Sequence, residues 1–397
     1  MSIVDHLRAQ GLREVINVCG VPSGFGAMGA SDAVAAAVAA MLPRQVDMLE
    51  LQRIASAEIA RATGAQAGFV TGCSAAGLAI ATAACLTGDD PVKVAGLPDT
   101  TSPPRRIVVQ GPHDFSCGAP LAQIVALTGA RLLVAGGPQA CSEGELCAAL
   151  ESPHAVAALF VEGTAPRDAA VVPLGALVEA ARDRGLPVIV DGAAEHDLRG
   201  AIAAGADLFL RSAQKIHRGP TAGVIAGRRD LVRACYLQES GIGRTMKAGK
   251  EAIAGTIAAL LAWQERDGAW ERRAWEHRAA LAAAMFVGTP GLVAAVEEDE
   301  HGRGVPRVAL AVDAAVAGFT AADLAAWLAA GDPQVIVWPW ESGRDLLYLD
   351  PRPVEDAQMV QACRAVLAGA AQPQQVGGAC GRLGQMFDLA TRLRQWP

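Results

Sequence analysis

The chain has 397 residues, 52% of them apolar and 19% charged, with a formal net charge of -7. One hydrophobic core stops growing near roughly 250 to 300 residues, so two domains are expected, and the Ala- and Gly-rich composition excludes disorder in favour of closely packed α/β architecture. An acidic balance without a long basic run excludes a dedicated nucleic-acid surface, whose affinity would rest on Lys and Arg contacts to phosphate.

The N-terminus, Met1-Ser2-Ile3-Val4-Asp5-His6-Leu7-Arg8, lacks the apolar core of a signal peptide. Residues Ala62 to Gly88 carry no charge, but Gly64, Gly68, Gly72 and Gly77 interrupt them together with Gln66, Thr71 and Ser74. That stretch reads as a buried strand, loop and helix, and no membrane partner is expected. Short apolar runs predict strands at Gly68 to Thr71, Arg106 to Gln110, Arg131 to Val134, Ala157 to Val161, Pro187 to Asp191, Asp207 to Arg211 and Ala222 to Gly227. Helical spacing of apolar residues, as in Pro173 to Arg184, fills the gaps between the later ones. This alternation implies a seven-stranded, mostly parallel sheet with helices on both faces.

From Gly249 the pattern changes to a long helix through Glu251 to Glu265, a second through Trp270 to Phe286, and strands near Val305 to Val312 and Leu346 to Leu349. The expected division is an N-terminal segment, residues 1–30, that lines the active site, a large domain, 31–255, and a smaller C-terminal α/β domain, 256–397. Nine cysteines, at positions 19, 73, 85, 117, 141, 147, 235, 363 and 380, form no CxxC pair and no Cys/His cluster with zinc spacing. They read as reduced thiols of a cytoplasmic protein, and no metal is expected.

Lys215 follows the strand Asp207 to Arg211, in Ser212-Ala213-Gln214-Lys215-Ile216-His217-Arg218-Gly219-Pro220. A lysine between a strand and a turn is ordinarily a solvated charge. Asp191, 24 residues earlier at the end of Leu186-Pro187-Val188-Ile189-Val190-Asp191, changes that reading. Open α/β sheets place ligands outside the carboxyl ends of their strands. A carbonyl-trapping lysine and a carboxylate there match the Lys and Asp pairing that holds pyridoxal 5′-phosphate (PLP).

Other parts of such a site can be named. Thr71-Gly72-Cys73-Ser74-Ala75-Ala76-Gly77 places a tight turn and a possible cap before an uncharged helix, a natural seat for the cofactor phosphate. Ser212 is a second phosphate candidate, and His113, in Gln110-Gly111-Pro112-His113, could lie on the ring or transfer protons. Arg244 and Lys247, in a glycine-rich approach to a helix, and Arg352 in Leu349-Asp350-Pro351-Arg352-Pro353, are candidate substrate-anion ligands.

Together these residues resemble fold-type I PLP-dependent enzymes, specifically the selenocysteine synthase-like family of L-seryl-tRNA selenium transferase and D-glucosaminate-6-phosphate ammonia lyase. The resemblance covers Val15 to Gly20, Leu51 to Gly77, Leu97 to Thr100, Gln110 to Phe115, Asp191, Lys215 to Pro220, and Gly243 to Lys247 through Lys250-Glu251. The last of these is closer to the ammonia lyase branch. The resemblance implies that Lys215 links covalently to the cofactor, Asp191 pairs with its ring nitrogen, His113 stacks on the ring, and Cys73, Ser74 and Ser212 lie at the phosphate. Family-like sequence begins near residue 15, so the separate N-terminal domain of a tRNA-using selenium transferase is not expected here. Gln214 and the Cys19 to Phe25 loop depart from the family pattern, so substrate identity transfers least.

The expected activity is that of a PLP-dependent lyase on an amino acid or amino-sugar acid: α-proton abstraction, β-elimination and deamination to a 2-oxo acid. The alternatives are a racemase or aldolase, a selenium or sulfur transferase, and a non-catalytic PLP-fold binding protein. By analogy the protein forms a homodimer or a larger symmetric assembly.

Overall fold

Side chains alternate across a β-strand, so a strand that is apolar on both faces must be covered on both. The computed structural model describes residues 2–100, 103–115, 118–166, 168–299, 302–337 and 345–379. Cys117 and Cys380, named above, lie outside these residues. The described residues fall within two compact units, Met28–Arg266 and Met1–Ala27 together with Asp267–Pro397.

The chain enters through the helix Ile3–Ala9 and a short strand, Val15–Asn17 (β1). The large unit then contributes Ala67–Thr71 (β2), Arg106–Gln110 (β3), Arg131–Ala135 (β4), Ala155–Val161 (β5), Val188–Asp191 (β6), Leu208–Ser212 (β7) and Gly223–Gly227 (β8). These form one seven-stranded sheet in the order β2-β8-β7-β6-β5-β3-β4, parallel throughout except for β8, which runs antiparallel to both neighbours. The order reverses around β5, with β3 and β4 on one side and β6 on the other, a place where such sheets open a crevice at their carboxyl edge.

The strand pattern explains how both faces are filled. Ile107, Val109, Leu159, Ile189, Leu208 and Leu210 pack with Leu78, Ile80 and Ala84 of the helix Ser74–Thr87 on one face. Their neighbours Val108, Ala158, Val188, Val190 and Phe209 point the other way and pack with Leu146, Leu177, Val178 and Ala181. Small residues bring the helix close: a Cβ on Gly77 would sit 3.6 Å from Ile225. Each fully buried Leu or Ile contributes about 1.5–3 kcal/mol relative to exposure.

The long helix Lys250–Glu265 buries Ile253 and Leu260 in a core with Leu51, Ala55 and Ile59 of the helix Met48–Thr63. It therefore belongs to the large unit, and the division falls at Arg266/Asp267 rather than at 255/256. The second unit carries an antiparallel sheet of Leu292–Glu298 (β9), Pro306–Val312 (β10) and Leu346–Leu349 (β12), in the order β12-β10-β9. Gln334–Ile336 (β11) pairs in parallel with β1, which ties the first residues of the chain to this unit. No helix among the described residues is long and apolar enough to cross a membrane.

Candidate active site

Strands β7, β6, β5 and β3 are parallel neighbours, so their carboxyl ends open along one edge and each leads into a residue with chemistry. β6 ends on Asp191 itself. β7 ends on Ser212 and turns into Lys215, β5 is followed by Glu162, and β3 runs into the short 3-10 turn Gly111–His113.

Burial holds the Asp191 carboxyl above its ordinary range, while the charge of Lys215, the Ala193 N–H, the Ser74 hydroxyl and Arg211 act in the opposite direction. Asp191 Oδ1 accepts from the Ala193 N–H at 3.1 Å and from Ser74 Oγ at 3.5 Å. The turn that presents Lys215 is fixed by backbone bonds from Ala213 N–H to Ala222 (2.9 Å), Gly219 N–H to Ala213 (2.8 Å) and Met28 N–H to Gln214 (3.3 Å). Lys215 itself is half-buried. Behind it His217 is buried, edge-on to Trp263 at 4.6 Å and 3.3 Å from Arg211 Nη2.

The helix Ser74–Thr87 is capped by Cys73, whose Sγ accepts from the Ala76 N–H at 3.4 Å. That leaves the Ser74 and Ala75 N–H groups at the helix N-terminus without a partner among the described residues, a donor pair suited to an anion. The turn is braced from outside, because Gly72 N–H and Thr71 Oγ1 both bond to the Met246 carbonyl, at 2.8 and 2.6 Å. Gly72 leaves room for that carbonyl, since a Cβ would lie only 3.0 Å from it. Ser212 is buried at the end of β7, its N–H donating to the Ala193 carbonyl at 3.3 Å.

His113 is 2% exposed and meets Phe160 edge-on at 4.5 Å. Its Nδ1 accepts from the Val161 N–H at 3.4 Å, and burial pushes its pKa down to about 4, so the ring is neutral with the proton on Nε2. The sequence reading missed two charged residues of this region. Glu162 follows the apolar strand β5 just as Asp191 ends β6, a signal equal to the one that identified Asp191. Arg211 is 1% exposed within β7, where the strand pattern alone does not separate a buried arginine from an outward-facing one.

Arg244 and Lys247 are exposed, on the segment that braces the phosphate turn, and Lys247 bridges to Thr71 through its backbone. Arg352 lies in the other unit and is 3% exposed. Its Nε and Nη2 bond to Asp350 at 2.9 and 2.6 Å. Burial alone would raise the Asp350 carboxyl, but Arg352 and then Arg307 pull it down to about 2. Asp350→Asn leaves Arg352 short of its buried counter-charge and is expected to destabilise the fold by about 3–5 kcal/mol, read as a lower urea midpoint in the unfolding of this unit. With Asp350 depressed from its ordinary 3.8, that stabilisation is complete above the ordinary value and is lost as pH falls toward 2.

The site fits a phosphorylated pyridine aldehyde. Asp191 Oδ2 accepts no hydrogen bond among the described residues, so a protonated ring nitrogen would satisfy it, and the free helix N–H pair would take the phosphate. Among the described residues no group of His, Cys, Asp and Glu could hold a metal ion.

No family model matches the chain. The 5'-C-glycyluridine monooxygenase-decarboxylase of a Streptomyces species is 40% identical over 326 residues, 81% of each chain. The D-glucosaminate-6-phosphate ammonia lyase of Salmonella typhimurium is 32% identical over 349 residues, 88% of this chain and 93% of the relative. A solved structure of D-glucosaminate-6-phosphate ammonia-lyase superposes with a TM-score of 0.83 at 30% identity, covering 92% of this chain and 98% of that one. The chain belongs to the selenocysteine synthase-like family of fold-type I PLP-dependent enzymes, and within it is a PLP-dependent lyase.

Proposed function

We propose that this protein uses PLP on Lys215 to deaminate an amino acid that carries a sugar-derived side chain. The observation that carries the reading is the juxtaposition of Asp191 and Lys215 at the ends of neighbouring parallel strands, close enough for the lysine charge to act on the carboxylate. The two relatives named above support the substrate class, because one name describes an amino-sugar acid and the other a glycyl group on a nucleoside.

Bound in this site, the cofactor supplies an electrophile for the substrate amine and an electron sink for its α-carbon. Lys215 Nζ would hold the cofactor and, once free, would take the α-proton. Asp191 would keep the ring nitrogen protonated, and the Ser74 and Ala75 N–H groups, with Cys73 and Ser212, would hold the phosphate. Neutral His113, whose Nε2–H is a donor, would stack on the ring. Arg244 and Lys247 are assigned to an anionic group on the substrate tail. Arg352, already bound by Asp350, is a weaker candidate for the carboxylate. Net, the α-proton and β-hydroxyl leave as water, and water returns to give a 2-oxo acid and ammonia.

A second reading has one observation in its favour: the 40% identical relative is named a monooxygenase-decarboxylase. Incubation of the PLP-loaded protein with 2-amino-2-deoxyaldonic acids and their 6-phosphates separates the two. Equal amounts of ammonia and a 2-oxo acid are expected, whereas oxygen-dependent release of carbon dioxide would transfer the assignment to decarboxylation. Inversion at the α-carbon without release would make it a racemase. The cysteines, seven of them unpaired among the described residues, support a cytoplasmic location, and a two-fold homo-oligomer is the expected assembly.

A further inference from the structure

We infer that His217 is a positioning residue for Lys215: its ring, set between the Ser212 carbonyl, the Arg211 guanidinium and Trp263, holds the turn on which the lysine stands, so that the amine is already in place for the cofactor aldehyde. The inference rests on the reading that PLP links to Lys215.

The turn is a closed loop between β7 and β8. The Ala213 N–H bonds to the Ala222 carbonyl at 2.9 Å, and the Gly219 N–H returns to the Ala213 carbonyl at 2.8 Å. Lys215 and His217 lie between those two ties. Next to them Arg218 has a φ of 54°, in the left-handed region that an arginine keeps only where its surroundings enforce it. Gly219 then passes close to its neighbours, since a Cβ there would lie 3.1 Å from the Ala213 carbonyl oxygen and 3.2 Å from Ala259. A turn strained in this way relaxes unless a side chain holds it.

His217 supplies that hold. It is buried, whereas Lys215, two residues earlier in the same turn, is half-buried. His217 Nε2 lies 3.3 Å from Arg211 Nη2, and a guanidinium only donates, so Nε2 accepts and the ring proton sits on Nδ1. That proton serves the hydrogen bond to the Ser212 backbone carbonyl. Arg211 is itself fixed, with Nη1 on the Asp197 carbonyl at 3.0 Å and Nη2 also on the Glu195 carbonyl. Trp263, from the helix Lys250–Glu265, meets the imidazole edge-on at 4.6 Å and carries the Arg266 guanidinium 3.4 Å from its own ring centre. Both ring nitrogens are thus engaged, which leaves the imidazole one orientation and fixes the backbone beside Lys215. Burial, and after it the Arg211 charge, hold the His217 pKa well below its ordinary value, so the ring stays neutral.

Capture of the cofactor is the step this serves. The Lys215 amine condenses with the aldehyde, forming a carbon–nitrogen double bond and releasing water. A turn already in place gives up no backbone freedom in that step, whereas a loosened one must first be ordered. Asp191 and the Ser74 and Ala75 N–H groups, assigned to the cofactor's non-covalent seat, belong to β6 and the helix Ser74–Thr87, outside the turn.

The experiment strips the full chain of cofactor with an amine reagent and titrates it by calorimetry with PLP and with pyridoxine 5′-phosphate, whose alcohol replaces the aldehyde and forms no link to lysine. His217→Phe keeps a ring against Trp263 but neither nitrogen; it is expected to bind PLP roughly tenfold more weakly, the cost of ordering about one backbone residue, and to bind the alcohol within about twofold of native. His217→Asn, whose amide donates from the place of Nδ1, is expected to recover PLP affinity to within about threefold of native, the loss of one hydrogen bond. A merely structural role would weaken both ligands together. Equal losses for the two ligands, no loss for either, or an asparagine variant as weak as the phenylalanine one overturn the inference while leaving the cofactor assignment intact. A native protein that takes up no PLP overturns both. Should the phenylalanine variant not fold, His217→Gln, whose longer amide meets Arg211 but overshoots the Ser212 carbonyl, decides in its place: a loss confined to PLP supports the role, and parallel or absent losses reject it.

Discussion

Lys215→Ala is expected to abolish the borohydride-stable PLP adduct on the peptide spanning Ser212 to Arg218 and to lower kcat/KM by roughly 10^4-fold, the upper range for a group that serves as both attachment point and proton acceptor. The chain has four lysines, at positions 93, 215, 247 and 250, so few amines compete for the label. Lys93 lies beside Asp90 in the helix Pro91–Gly96, and Lys247 is exposed on the segment bracing the phosphate turn. Peptide mapping after reduction, together with ammonia release from an amino-sugar acid, makes the check. An adduct at Lys247 or Lys250 with native turnover in the alanine variant would remove the basis of the catalytic assignment.

Asp191→Asn carries the second large effect. The amide keeps the size of the side chain and can still meet the Ala193 N–H, but it cannot balance a protonated ring nitrogen. Breaking a buried charge pair costs about 3–5 kcal/mol, which in a rate corresponds to roughly two to four orders of magnitude. The loss should appear in kcat, with the cofactor still attached to Lys215 and its absorbance altered in pH dependence. Native kcat in the asparagine variant would be incompatible with the proposed electron-sink role. Because Ser74 also bonds Oδ1, a fold check by circular dichroism accompanies the kinetics.

The strand ends that carry Lys215 and Asp191 were legible because each follows an apolar run, and such runs, apolar on both faces, also marked the seven strands. Glu162 ends a run of the same kind and was passed over, since an isolated carboxylate after a strand acquires meaning only when its neighbour across the sheet is known. Its neighbour is Asp191, through a pairing between residues 30 positions apart in the chain that no local pattern encodes. Arg211 posed the converse difficulty: a strand pattern cannot say whether an arginine faces solvent, and here carbonyls from the segment after β6 enclose it. Arg352 was a candidate for a substrate anion, and the structure binds its guanidinium to Asp350, two residues earlier. The N-terminal strand Val15–Asn17 found its partner more than 300 residues away, which assigned the first residues to the C-terminal unit.

By itself, the sequence determined the alternation of strands and helices, the parallel sheet and the lysine–aspartate pair, because buried periodicity and strand-end placement are local properties of the chain. Only the tertiary structure decided which acids stand beside which bases, because burial and strand pairing set the charge of Glu162, His113 and Arg211 through neighbours remote in the chain.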